Sequence, residues 1–312
     1  MSAVSLDPGL LEILRCPFCR TRLTEADGKL TCGSCQREFP IENGIPLMLH
    51  VDLPGAREKL GEVAGWAEKA KVEGWYEPDD HIDSHLPFLV RDLGWEDATW
   101  LANGHSFQVL LDRYALDRRG LRVLEVGAAK AWAAPYWRER GCEYVATDIL
   151  VDENIGLGRG AFYGEFGRVQ ADGEHLPFAD GVFDIAYCCA TLHHALDLPA
   201  MVREMARVTK KGGIVAGLNE GTKGVGRSSD NPGQATEKEL GINEHVHTIW
   251  AYVAAFTRSG LVIRRMERSD GWPPGKIGSR IARIPKVGQT LGTLAHLSAG
   301  EYSGVTIYAR KR

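Results

Sequence analysis

This chain has no uninterrupted apolar run of the ~18 residues that a membrane-spanning helix needs. Its first residues also lack the basic-then-apolar pattern of a secretion signal. Neither sign of charge dominates: 37 Lys and Arg stand against 41 Asp and Glu, a formal net charge of −4. A surface of that balance is not built to hold nucleic acid over its whole extent, which leaves only a local patch for such a partner. Cytoplasm is the expected compartment, with no membrane span. The dinucleotide fingerprint G-x-G-x-x-G is missing too. After Gly127, Ala129 and Trp132 stand where the second and third glycines would be, so a pyrophosphate is poorly served.

What is present is 312 residues at 44% hydrophobic content, enough for one large domain and a small one. Organisation centres on residues 121–148, LRVLEVGAAKAWAAPYWRERGCEYVATD. Residues 122–126 are a β-branched and apolar run that predicts a buried parallel strand. Gly127, Ala128 and Ala129 make a small-residue turn. A helix is expected over 132–140, with Pro135 near its start and Gly141 as its stop. Residues 143–146 predict a second strand that runs out at Asp148. Small residues at the first turn let a ligand approach the backbone, and the helix start behind them offers free N–H groups. A carboxylate about 20 residues on, at the tip of the second strand, can accept both hydroxyls of a ribose. NAD and S-adenosylmethionine both fit that outline; Glu125, two residues before Gly127, suits a ligand with an ammonium group.

The seven cysteines are unevenly spread. Cys16, Cys19, Cys32 and Cys35 form C-x2-C-x12-C-x2-C, whereas Cys142, Cys188 and Cys189 fall in expected core strands. Two close pairs bring four thiolates into tetrahedral reach, the donor set of a closed zinc site with no position left for water. Disulfides are the alternative, and the missing secretion signal argues against them. The metal is therefore expected to be structural.

Two resemblances follow. The segment LEILRCPFC…GKLTCGSCQREFPIENGIPLML, with short strands at 23–24, 29–31, 38–41 and 45–49, resembles the small zinc-ribbon activator subunits of tRNA, rRNA and release-factor methyltransferases. That likeness implies a ribbon that covers an apolar patch on the catalytic unit, here from within one chain. The 121–148 unit resembles the first motif of class I S-adenosylmethionine-dependent methyltransferases, of the type 11-like group, with Ala129 and Ala131 in place of the usual second and third glycines. Downstream, the segment from Asp172 through HLPFADGVFD, the Leu192-His193-His194 run and ARVTKKGGIVAG are similar to later motifs of that family. The resemblance implies an α/β fold: a Rossmann-like class I methyltransferase sheet, parallel with a terminal antiparallel pair, behind a zinc ribbon and a helical cap. The expected division is 1–52 for the ribbon, 53–120 for the helical connector, and 121–312 for the methyltransferase domain with a 268–302 insertion.

The same resemblance places Glu125, Gly127, Ala129, Asp148, Ile149, Asp172, Gly173, Cys189 and Ala190 against S-adenosylmethionine. Asp148 is expected on the ribose and Asp172 beside the adenine amino group. Trp66, Trp75, Tyr76, His81 and His85 lie ahead of the sheet, where some rings would cap the site, although a packed aromatic cap serves as well. For an acceptor base, His245 and His247 lie past the loop expected at 219–232 and are preferred to His194; each taken singly reads first as a capping or core histidine, and His245 with His247 as a metal pair is a second rival. Lys276, Arg280, Arg283 and Lys286 share a face opposite Ile277, Ile281 and Ile284. They read as a solvated surface or as a lid for an anionic acceptor. No N-P-P-Y-type tetrad follows residues 183–189, which argues against methylation of exocyclic base amines. The expected activity is O- or N-methylation of a small-molecule acceptor: a metabolite, a sugar or a natural-product intermediate. Two alternatives stand beside it: an rRNA or tRNA base methyltransferase, and a non-catalytic scaffold. The ribbon does not favour RNA, because up to residue 50 it carries five Lys and Arg against six Asp and Glu.

Overall fold

The computed structural model describes residues 6–115, 119–228, 235–271, 276–284, 288–300 and 302–312. The chain opens with helix α1 (Pro8–Ile13), capped by the Asp7 carboxylate, and a four-stranded antiparallel ribbon: β1 (Leu23–Ala26), β2 (Lys29–Cys32), β3 (Glu38–Glu42) and β4 (Ile45–Pro46). The last ribbon strand is shorter than the expected 45–49, because the chain changes sheet. Leu47 forms a parallel bridge to Gln170, and Met48 N–H donates to the Gln170 carbonyl at 3.0 Å.

Helices α2 (Ala56–Val72), α3 (Asp80–His85), α4 (Leu89–Leu93) and α5 (Ala98–Leu110) form the connector, α5 ending in a wider turn at Leu111–Ala115. Gly65 sits mid-helix in α2 because a Cβ there would lie 2.3 Å from the Leu240 carbonyl oxygen; a neighbouring turn needs the space. The main domain then runs β5 (Arg122–Val126), α6 (Ala134–Glu139), β6 (Glu143–Asp148), β7 (Gly167–Gln170), β8 (Phe183–Cys189), α7 (Leu198–Val208), β9 (Thr209–Lys223), α8 (Ala235–Glu239), β10 (His247–Thr248), α9 (Ile249–Arg258), β11 (Leu261–Arg268), α10 (Lys276–Ile281), α11 (Gly288–Ala299) and β12 (Ser303–Lys311).

The sheet order is β11-β12-β9-β8-β5-β6-β7, with β10 appended to β9. Strands β5 to β9 are parallel, and β12 runs antiparallel to both β9 and β11. β9 is longer than the expected 214–218. Its extension through Lys223 pairs with β12 on one side and β10 on the other, so residues 219–223 are strand rather than loop. Residues 229–234 lie outside the described residues. Thr248 caps α9, accepting from Ala251 N–H at 3.3 Å.

One face of the sheet packs Val126, Val145 and Val169 against Met201 and Val202 of α7 and Phe256 of α9, all in one buried cluster. Leu10, Ile13, Leu14 and Met48 belong to the same cluster, so the ribbon shares the main core rather than hanging from it. Two further bonds fasten it: Arg15 N–H to the Pro177 carbonyl at 2.8 Å and Ala179 N–H to the Ile13 carbonyl at 2.9 Å. Phe107, Trp132, Trp137 and Tyr187 cluster over the opposite face. Helix α11 packs on β11 and α9, with α10 stacked on it. Lys276, Arg280 and Arg283 are exposed there, and none lines the cleft described below. Lys286 and the Ile277 side chain lie outside the described residues. Among the described residues, no helix is long and apolar enough to cross a membrane.

Candidate functional site

At the carboxyl ends of β5, β6 and β8 opens a cleft of about 250 Å³, roofed by α2. Parallel sheets place ligands at this edge because loops and helix starts there present free backbone groups. All nine residues expected to face a cofactor line it: Glu125, Gly127, Ala129, Asp148, Ile149, Asp172, Gly173, Cys189 and Ala190.

The β5 turn is left-handed at Gly127 (φ 72°), Ala129 (φ 45°) and Ala131 (φ 57°). The two alanines thus hold the backbone conformation that glycine favours, with a close-set hydrogen-bond frame around them. Gly127 and Ala128 N–H both donate to the Thr147 carbonyl, at 2.8 and 3.0 Å. Asp148 Oδ2 accepts from Ala129 N–H at 2.7 Å, and its Oδ1 accepts from Leu150 N–H at 2.9 Å. Burial pushes the Asp148 carboxyl up, and those backbone donors pull it back. A side chain at Gly127 has no space, since a Cβ would stand 2.2 Å from Thr191 Cγ2. Gly127→Ala is therefore expected to add about 1–2 kcal/mol of left-handed strain and about 1–3 kcal/mol of overpacking. A lowered melting temperature and lost binding of S-adenosylhomocysteine check it.

Asp172 is buried, with Oδ2 2.8 Å from His175 Nδ1 and Oδ1 accepting from Glu174 N–H at 3.0 Å. Glu125 is buried beneath the turn, where Tyr144 Oη and Tyr187 Oη donate to it and Trp137 Nε1 donates to Tyr187 Oη at 2.9 Å. Burial pushes its carboxyl up to about 8, against the pull of the two hydroxyls.

The three histidines are not brought together. His194 lines the cleft, with Nδ1 2.7 Å from the Asn243 carbonyl and its ring 5.5 Å from Trp66. Burial and the neighbouring His193 hold it well below the usual histidine range. His245 is exposed and His247 half-buried, and neither lines the cleft. The reason is the longer β9. His247 pairs with Thr222 beyond the sheet edge, and its ring packs 5.5 Å from Tyr252. Burial and the nearby His245 push His247 down to about 4.

Trp66 and Trp75 line the cleft, and Tyr76, His81 and His85 do not. Residues with no sequence signal also line it: Asn103 of α5, and Lys59 and Glu62 of α2. Asn103 Oδ1 accepts from Asn219 Nδ2 at 2.7 Å and faces Cys189 Sγ at 3.4 Å. Lys59 and Glu62 stand in a helix that mixes charged and apolar positions, where residue type alone does not mark a buried pair. Their i,i+3 spacing on the face of Trp66 was the available hint.

In the ribbon, the four cysteine sulfurs lie within 4.8 Å of one another. Cys16 Sγ is 3.6 Å from Cys35 Sγ, and Cys19 Sγ is 3.4 Å from Cys32 Sγ. Sulfurs at about 2.3 Å from a tetrahedral zinc stand about 3.8 Å apart, whereas a disulfide would need about 2.05 Å. The donor set fits zinc.

Strand order, terminal antiparallel pair and cleft together define the class I methyltransferase fold. Residues 124–217 match the family model of the methyltransferase domain, and residues 7–44 match that of Trm112p-like proteins. The chain thus carries a methyltransferase domain of the S-adenosylmethionine-dependent class behind a Trm112p-like zinc ribbon. A demethylmenaquinone methyltransferase of Corynebacterium urealyticum is 36% identical over 97 residues, covering 31% of this chain and 40% of that protein. A malonyl-[acyl-carrier protein] O-methyltransferase of Enterobacter lignolyticus is 31% identical over 99 residues, covering 32% and 39%. The chain thus spans about 40% of the length of these curated relatives. The solved geranyl diphosphate C-methyltransferase from Streptomyces coelicolor A3(2) superposes with a TM-score of 0.53 at 14% identity, over 83% of this chain and all of that one. That likeness is one of fold.

Proposed function

We propose that this chain methylates the oxygen or nitrogen of a small-molecule acceptor, with residues 1–52 as a structural zinc ribbon, 53–120 as the cap and 121–312 as the catalytic domain. S-adenosylmethionine, when bound, supplies an electrophilic methyl group. Asp148 would accept from the ribose hydroxyls, Asp172 would face the adenine, and the turn 127–129 would lie against the ligand's amino-acid end. The chain's part in such a displacement is alignment and exclusion of water, for which Trp66, Trp75 and Trp132 supply walls.

The observation that carries the acceptor class is the charge of the cleft. Beyond the carboxylates placed at the cofactor, those of Glu62 and Glu174 line it, and Lys59, paired with Glu62, is the one Lys or Arg among the described lining residues. Such a lining repels phosphate and favours a neutral or cationic acceptor. The deciding experiment incubates methyl-labelled S-adenosylmethionine and the purified protein with cell extract, with and without RNase. Label is expected in the small-molecule fraction regardless of RNase. Label that vanishes with RNase would make the protein an RNA methyltransferase, and binding of S-adenosylhomocysteine without any label would make it a scaffold.

A further inference from the structure

Helix α2 lies outside both segments that match known families, yet it delivers to the cleft a charged pair that the mechanism above does not use. Glu62 is 2% exposed and Lys59 5% exposed. Lys59 Nζ stands 3.2 Å from Glu62 Oε1 and donates to the His194 carbonyl at 2.6 Å, which ties α2 to the loop after β8. The lysine is therefore shared, and apart from that ion pair Glu62 Oε1 has no hydrogen-bond partner although it is buried. A buried carboxylate with an unfilled acceptor site costs free energy unless a donor arrives from elsewhere. Glu62 is among the residues that line the cleft, together with Asp148, Asp172 and the β8 loop.

Resting on the methyl-transfer reading above, we propose that Glu62 is a catalytic residue: it takes the proton from the O–H or N–H of a neutral or cationic acceptor during transfer. The proton passes to the Glu62 carboxylate. The electron pair it leaves on the acceptor atom forms the bond to the methyl carbon, and the pair of the methyl–sulfur bond stays on sulfur. The protonated carboxyl then returns its proton to water when product leaves. Around Glu62 the charged groups are Lys59 on its own helix, Asp172 after β7 and Glu244 before β10. Burial pushes Glu62 up to about 7, Lys59 pulls it down, and the two carboxylates add to the rise. A base so poised is half available at neutral pH, where proton transfer is most effective.

The test uses the full-length zinc-loaded protein, tritiated-methyl S-adenosylmethionine, and the small-molecule fraction of cell extract. Wild-type transfer is expected to rise with pH to a plateau, with its midpoint near 7. Glu62→Gln should lose about 10²–10⁴-fold in transfer and lose that pH dependence, while Glu62→Asp recovers part of the rate. Calorimetry with S-adenosylhomocysteine should give Glu62→Gln the wild-type affinity within about twofold, as a base that meets the acceptor and not the cofactor requires. A second readout needs no acceptor. Because the folded carboxyl is raised above its unfolded value, the folded state holds the extra proton between about pH 4.5 and 7, so wild-type stability falls as pH rises through that window. Glu62→Gln should flatten that fall in melting temperature. Transfer by Glu62→Gln at the wild-type rate across pH 6–9, or loss of S-adenosylhomocysteine binding in that variant, overturns the assignment. If Glu62→Gln fails to fold, a wild-type rate flat across pH 6–9 overturns it as well. Absence of label with wild-type protein instead defeats the methyl-transfer reading on which it rests.

Discussion

Replacing Cys16 or Cys35 with serine is expected to remove one zinc per chain and most of the soluble protein with it. A structural zinc contributes roughly 10–16 kcal/mol of apparent binding free energy in small zinc-dependent modules, while a whole domain is net stable by about 5–15 kcal/mol. The metal term is thus as large as the total. In many proteins a lost ribbon would simply unfold on its own, but here the coupling runs further. Cys16 and Cys32 are fully buried, and they sit in the same cluster as Leu14, Phe178 and Val169 of the main core. The ribbon's exit strand also satisfies the edge of β7 through Gln170. Unfolding the ribbon would strip that edge and expose an apolar face, the condition under which sheet edges aggregate. Metal analysis, soluble yield and the melting curve check the expectation. A soluble, zinc-free variant melting like the wild type would show that the ribbon is held by packing alone.

The reason so much of this arrangement is legible from the sequence lies in a few dense signals. Two Cys-x2-Cys pairs leave a metal few other shapes to take. The run at 122–126, the turn at Gly127 and the acid at Asp148 specify a strand, a ligand edge and the next strand tip with the spacing a parallel sheet requires. Where reading failed, tertiary pairing had overridden local chemistry. Residues 219–223 are polar and glycine-bearing, as in a loop, yet β12 and β10 supply ladder partners on both sides, and strand propensity is weak against such pairing. That same extension carries His247 past the cleft, and its absence from the cleft lining could not be foreseen from chain order. Glu62 and Lys59 were invisible for another reason. A buried ion pair and a solvated one have the same spacing on a helix, and only the elements packed above it decide which it is.

Asp148→Ala should weaken S-adenosylmethionine and S-adenosylhomocysteine by at least about tenfold, and by more than the ribose contacts alone would give. A hydrogen bond to a charged acceptor contributes roughly 1.5–3 kcal/mol, and each 1.4 kcal/mol is about a factor of ten in affinity. Asp148 has a second task. Its two oxygens already hold the N–H groups of Ala129 and Leu150, and Ala129 sits in the left-handed region without the freedom of glycine. Removing the carboxylate leaves that alanine without the bond that fixes it, so the turn relaxes and its shape toward the ligand is lost with the ribose acceptor. Asp148→Asn separates the two effects. Its amide keeps one oxygen for a backbone donor but turns an N–H group toward the other, so the turn is held at one end only. The expected order of affinity is wild type, then Asn, then Ala, read by titration calorimetry on variants whose circular dichroism shows them folded. A folded Asp148→Ala that binds S-adenosylhomocysteine like the wild type would mean that the β6 tip does not hold the ribose and that the ligand lies elsewhere along this sheet edge.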